Sequence, residues 1–275
     1  FYQKTKNDYY KKKLIQTISF INKEFKNNEN LYGSAYDADS EGIEGKYYVW
    51  PYDELKKILE NDFGLFEKKY EISNKGNFEG NNILVESKNQ LSKEEQNKIA
   101  EIEEKLIQKR KKRVKPFFDD KSQTDLNAFI LNSLIGASIV LEDNNLKDEA
   151  ISTLEILNDK LSNKIYHCYD SSEIDAFLED YVYYAMLLVT LYEVDGNESS
   201  LAKAITIMKE IWELFYNNKT QLLQKNKIKD NDLFVSPIDL NDSNIPNGNS
   251  VYLNLCNKIY TITNDKFWFD KVEIL

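Results

Sequence analysis

Residues 178–215 read LEDYVYYAMLLVTLYEVDGNESSLAKAITIMKEIWELF. The first half, Leu178 to Tyr192, is apolar almost all round, which predicts a helix buried on most sides. The second half is apolar on one side only. Leu201, Ala204, Ile205, Met208, Ile211, Trp212 and Phe215 recur there at helical spacing. Between the halves, Glu193-Val194-Asp195-Gly196-Asn197 carries helix-stop chemistry and leaves room only for a tight turn. The stretch is a helical hairpin with one buried member and one surface member.

The same unit occurs one step earlier. Residues 124–141 are broadly apolar (Phe129, Ile130, Leu134, Ile135, Ile139 and Val140), and Glu142 to Asn145 interrupts them. A one-sided helix with Leu146, Ala150, Leu154, Leu157 and Leu161 follows. Near the start, Tyr10, Leu14, Ile18, Ile21 and Phe25 predict another surface helix. After each surface helix comes an aromatic, β-prone stretch: LYGSAYD at 31–37, KIYHCYD at 164–170 and LFVSPID at 233–239. The order therefore repeats: buried helix, turn, surface helix, short strand, loop.

Such hairpins close into a double ring. The expected fold class is mainly α, a partial (α/α)6 toroid with short β hairpins. The chain is expected to be one incomplete toroid domain, 1–275, with residues 38–115 inserted between hairpins. In that insertion Lys46–Trp50 reads as a strand, Pro51 as the opening of a helix and Ser92–Arg113 as a charged, solvated helix. Loops entering the buried helices of a toroid share one face, and that face is where a site is expected.

Composition narrows the function. The chain has 275 residues, 41% of them hydrophobic, which is enough for a sizeable core. It carries 36 Lys and Arg against 46 Asp and Glu, a net charge of −10, and an acidic chain is a poor partner for nucleic acid. The basic run KRKKRVK at 109–115 is read as cations at a helix C-terminus. No stretch approaches the roughly 20 apolar residues of a membrane helix, so no membrane partner is expected. Two cysteines, Cys168 and Cys256, form no CxxC motif, which points to a reducing, cytoplasmic compartment. With one histidine, His167, no zinc site built on two histidines fits within the chain, and glycine-rich phosphate loops are absent. No metal or cofactor is read from the sequence. The chain opens on Phe1 inside a predicted helix, so it is expected to be a piece of a longer protein.

The candidate site residues sit in four strings. DADSEGIEG at 37–45 holds Asp37, Asp39, Glu41 and Glu44 in a turn-rich loop. It imitates the start of a calcium loop but has Tyr48 at the twelfth position, so an EF-hand is rejected. Asp119 and Asp120 precede the first buried helix, and either is a candidate acid or base. Glu179, Asp180 and Tyr181 open the next, and Asp180 is expected to point to the open mouth because its helix is otherwise apolar. IPNGNS at 245–250 offers Asn249 and Ser250 before the last. Acids and amides on one face, with aromatic rings nearby, suit a sugar or other small polar ligand. Asp119, Asp120, Glu179 and Asp180 are the catalytic candidates. Asp37, Asp39, Glu41, Glu44, Asn127, Tyr181, Asn249 and Ser250 are the binding candidates. His167 reads as a packed structural histidine.

YGSAYDADSEGIEGKYYVWP at 32–51 resembles the loop of the spermatogenesis-associated, YyaL-like thioredoxin-domain protein family. GNFEGNNIL at 76–84, KRVKPFFDDK at 112–121, AFLEDY at 176–181 and IPNGNS at 245–250 match in the same order. The resemblance implies a thioredoxin-like domain attached to an α/α toroid of the six-hairpin glycosidase or N-acylglucosamine 2-epimerase type. It implies that this chain is the middle of that toroid, without the thioredoxin-like domain and without the family's upstream histidine motif. Where the family carries Thr-Ser-Trp-Asn-Gly, this chain has Thr124-Asp125-Leu126-Asn127-Ala128, keeping only the Thr and the Asn. The implied function is a carbohydrate-active, glycosidase- or epimerase-like domain. The alternative is a non-catalytic or regulatory module serving the thioredoxin-like domain.

Overall fold

In the computed structural model, residues 1–161, 164–169, 174–228 and 236–275 are described. In chain order the helices are α1 (Tyr2–Thr5), α2 (Asp8–Glu24), α3 (Tyr52–Leu59), α4 (Phe63–Lys69), α5 (Lys93–Arg110), α6 (Thr124–Leu141), α7 (Asn144–Leu161), α8 (Leu178–Asp195), α9 (Glu198–Phe215), α10 (Gly248–Thr263) and α11 (Lys266–Ile274). The strands are short and pair only in twos: β1 (Ala35–Tyr36) with β6 (Phe118–Asp119), β2 (Asp39–Ser40) with β3 (Ile43–Glu44), β4 (Tyr70–Glu71) with β5 (Val85–Glu86), β7 (Tyr166–Cys168) with β8 (Ile174–Asp175), and β9 (Tyr216–Asn217) with β10 (Leu222–Leu223). The chain divides into two compact units, Phe1–Ser34 with Asp120–Leu275, and Ala35–Asp119.

The larger unit is the row of hairpins. α6 packs on α7, α8 on α9 and α10 on α11, while α6, α8 and α10 lie side by side. This is an arc of an α/α toroid, with α6, α8 and α10 inside. α8 follows the expected pattern: Val182, Tyr183, Tyr184, Ala185, Leu187, Leu188 and Val189 are all buried. α9 buries only one face, through Leu201, Ala204, Ile207, Met208, Ile211 and Phe215. Gly196 closes α8 at φ 70, where a glycine carries no steric penalty. Glu142 closes α6 at φ 57, where a side chain is strained. By length and composition α6 is also apolar enough to cross a membrane, but its buried side packs against α7 and α8.

Two inner helices hold the preceding segment by the same device. Asn127 of α6 accepts from the Tyr32 N–H at 2.8 Å and donates to the Tyr32 carbonyl at 2.9 Å. Asn249 of α10 accepts from the Leu223 N–H at 2.9 Å and donates to the Leu223 carbonyl at 2.9 Å. Each side-chain amide satisfies a buried backbone as a strand neighbour would. The LFVSPID expectation falls partly on 233–235, outside the described residues, and 236–239 form no strand. The hairpin after α9 is instead β9–β10.

The smaller unit has its own core of Trp50, Leu55, Leu59, Phe63, Phe66, Ile99, Ile102 and Leu106. Lys46–Trp50 is not the expected strand. Gly45 sits at φ 68, and the chain turns so that the carbonyls of Tyr47 and Val49 converge on the Arg113 guanidinium at 3.1 and 2.8 Å. That guanidinium lies 4.0 Å over the Trp50 ring and pairs with Glu54. The Lys46 carbonyl reaches the same nitrogen at 3.4 Å, and extended backbone, which points successive carbonyls in opposite directions, cannot bring those of Lys46 and Tyr47 to one cation. α5 is charged as expected, but it buries Ile99, Ile102 and Leu106 and starts with a Ser92–Glu95 capping box.

Asn127→Ala leaves both Tyr32 backbone groups buried and unpaired, and equilibrium unfolding in urea is expected to show a loss of about 2–4 kcal/mol. Glu142→Gly relieves the left-handed residue, and the same measurement is expected to show a gain of about 0.5–1 kcal/mol.

Candidate functional site

The larger unit has a cleft of about 350 Å³ where the inner helices begin. Asp125 from α6, Phe177 and Glu179 from the start of α8, His167 from β7 and Lys225, Asp239 and Asn247 from later loops line it.

Asp180 lies behind this cleft with no solvent exposure. It does not point to the open mouth, as its apolar helix led one to expect. As the third residue of α8 it folds back, and its Oδ2 accepts from the Phe177 N–H at 2.8 Å. Its Oδ1 accepts from the Asp125 N–H at 3.0 Å, tying the first turn of α6 to that of α8. Both oxygens lie 3.0–3.1 Å from His167 Nδ1. A buried carboxylate on Nδ1 holds the imidazole in one orientation and leaves Nε2 as the nitrogen for the cleft that the ring lines.

The electrostatics follow from this packing. Hydrogen bonding to Asp180 raises the His167 pKa above 6.5 against the opposing effect of burial. Burial, reinforced by the charge of Asp180, pushes the Asp125 carboxyl up to about 6. Burial also raises Glu179. One Glu179 oxygen, Oε2, is sealed from solvent without any hydrogen-bond partner. Gly248, the first residue of α10, packs directly on this turn: a Cβ there would lie 2.6 Å from Leu178 and 3.1 Å from Glu179 Oε1.

Asp125, His167 and Asp180 each offer a ligand atom within 4.8 Å of the others, a donor set of the right type for a metal. Asp180, however, already accepts from two backbone N–H groups as well as from His167.

Of the catalytic candidates, Glu179 lines the cleft and Asp180 supports it. Asp119 instead belongs to the β1–β6 ladder of the smaller unit, opposite Ala35. Asp120 is exposed, and its carbonyl accepts from Asn27. The binding candidates separate further. Asp37, Asp39, Glu41 and Glu44 are exposed in the smaller unit, on and beside the β2–β3 hairpin, whose turn residues Glu41 and Gly42 have φ of 54 and 74. Asp37 accepts from the Asp39 N–H and Glu41 pairs with Lys46, as a tight turn expects, while Glu41 and Glu44 also line a cavity of about 520 Å³ within the smaller unit, beside Lys46 and Arg113. Asn127 and Asn249 are the buried clamps described above and have no amide group left for a ligand hydroxyl. Tyr181 is a core ring packed edge-on against Phe215. Ser250 is exposed, and Asn247 caps its N–H.

The sequence does not single out Asp125, and it reads His167 as structural. The repeat offered a signal for both: Asp125 opens an inner helix as Glu179 does, and His167 follows a surface helix, so both fall on the face where loops gather.

No family model matches the chain. It is 24% identical to spermatogenesis-associated protein 20 of Rattus norvegicus over 94% of its length and 39% of that protein. It is 22% identical to an uncharacterized Caenorhabditis elegans protein over 95% of its length and 42% of that one. The chain thus spans about two fifths of the curated relatives it matches. Among solved structures, a Salegentibacter GH76A α-1,6-mannanase in complex with α-1,6-mannotriose matches at TM-score 0.43 and 10% identity, over 94% of this chain and 66% of that one. A GH76 α-mannanase of Bacteroides thetaiotaomicron matches at TM-score 0.43 and 13% identity, over 98% and 83%. Likeness at that level does not extend to shared chemistry.

The Asp125 and His167 shifts, like that of Glu179, have the same sign for stability. Folded Asp125 and folded His167 both keep a proton that the unfolded chain releases. Their contribution is therefore greatest in acid, and it falls as pH climbs through about 6 and then through the raised His167 value. Asp180→Asn removes the carboxylate behind this, so an NMR titration of the single imidazole is expected to move to lower pH. An unmoved titration would show that the pair does not form. Along nearly its whole length, the chain is a distant homologue of spermatogenesis-associated protein 20.

Proposed function

We propose that the larger unit is a carbohydrate-active module, glycosidase- or epimerase-like, with the α6–α8 cleft as its site. One observation carries this reading: an imidazole pinned by a buried carboxylate shares a small cleft with a second carboxyl whose pKa is pushed up to about 6. Between pH 6 and the raised His167 value, Asp125 is ionised while His167 is protonated. That is the arrangement of a general base beside a general acid. Phe177 offers a ring edge or face to a sugar, and Glu179 an acceptor for its hydroxyls. Both cysteines are free and buried, which suits work in a reducing, cytoplasmic setting.

A thermal-shift screen of hexoses is expected to find a ligand that stabilises the native state. With a turned-over sugar, Asp125→Asn and His167→Gln are each expected to lower kcat by about 10²–10⁴ while the circular dichroism spectrum is kept. The rate should fall on the acid side through about pH 6 and on the alkaline side above 6.5. Binding without turnover, unaffected by His167→Gln, would instead favour the non-catalytic module that serves an attached thioredoxin-like domain.

A further inference from the structure

The charges around the cleft do not balance. Asp180 is met by His167. Asp239 is met loosely by Lys225, whose Nζ lies 3.9 Å from its Oδ2. Among the described residues, no cation lies within ion-pair distance of Asp125 or of Glu179. Their hydrogen bonding is equally incomplete. Asp125 Oδ1 accepts from the Leu126 N–H at 2.7 Å, and no donor of the described residues reaches its other oxygen. Glu179 accepts from no neighbouring side chain, and its Oε2 is sealed without a partner. Two half-buried carboxylates from adjacent inner helices thus face one cleft without a full set of donors, and the cations nearest them, His167 beside Asp125 and Lys225 beside Glu179, are felt across the cleft but not paired with them.

Resting on the sugar-site reading above, we propose that the cleft takes a ligand carrying a protonated amine, an amino sugar or similar amino polyol, whose ammonium is held by Asp125 and Glu179. An ammonium offers three donors and the missing positive charge. Concave, low-dielectric walls concentrate such a cation. A metal ion suits the site less well. Asp180 has each oxygen committed to a backbone N–H and to His167. Without Asp180 the cluster keeps two ligands, Asp125 and His167, fewer than the three protein ligands of an open zinc site.

The test is calorimetric binding of glucosamine, galactosamine and mannosamine near neutral pH, each against its parent hexose and its N-acetyl derivative. The derivative keeps the sugar's shape but removes the charge. At least one amine is expected to bind about tenfold tighter than both of its controls. Raised salt should narrow that preference. Glu179→Gln should abolish it, and Asp125→Asn serves as a second variant if the first unfolds. Equal affinity for all three forms of every sugar that binds would overturn the amine while leaving the sugar site standing. Binding by none of the nine would overturn both proposals. Stabilisation by Zn²⁺ or Mn²⁺ that is lost in Asp125→Asn would also overturn it, by making a metal the missing cation.

Discussion

An inner helix of an α/α ring is surrounded by protein, so the backbone of the segments that feed it must find its hydrogen-bond partners away from water. Short polar side chains in the first turns of α6, α8 and α10 meet that requirement. Asn127 takes both backbone groups of Tyr32, and Asn249 both of Leu223. Asp180 takes the N–H groups of Phe177 and Asp125. These bonds join each hairpin to its neighbour at the end where the loops gather, and the rest of the larger unit is apolar packing built on that frame.

The middle member of the three is the one that is charged, and the site follows from it. An amide there would satisfy neighbouring backbone without needing a counterion. A carboxylate sealed from solvent needs a donor that can carry charge, and β7 supplies His167. Its field adds to burial in raising the pKa of Asp125 on the next helix. Structural satisfaction and a perturbed acid–base cluster are thus the same set of bonds seen from two sides. The proposed ligand would complete the balance that the protein leaves open at Asp125 and Glu179.

The acidic DADSEGIEG loop makes the contrast clear. It has the densest run of carboxylates in the candidate strings, yet its acids are exposed and settled by a tight hairpin, a local N–H bond and a lysine. Exposed charges are screened and solvated, so density along the chain does not translate into perturbed chemistry. Asp180, by contrast, enters an apolar helix and is sealed from solvent, and the cleft is built on it.

The hairpins were legible in the sequence by itself. Helical periodicity is a local property, and the difference between an all-round and a one-sided apolar helix marked α8 as inner and α9 as outer before any contact was known. Glu193 to Asn197 and Glu142 to Asn145 marked the turns for the same reason. The site was legible only in part. Glu179 and Asp180 stand out in the sequence, but Asp125 does not and His167 reads as packing, because their roles depend on a carboxylate far off in sequence. Asn127 and Asn249 looked like ligand groups because an amide beside a helix start reads the same whether it faces solvent or a buried carbonyl. Lys46–Trp50 looked like a strand until the guanidinium of Arg113, more than sixty residues on, gathered its carbonyls. Local pattern determined the paired helices α6 to α9 and which face each buries. Tertiary structure decided which polar side chains are satisfied by the protein and which are left for a ligand, because that depends on who lies across the gap.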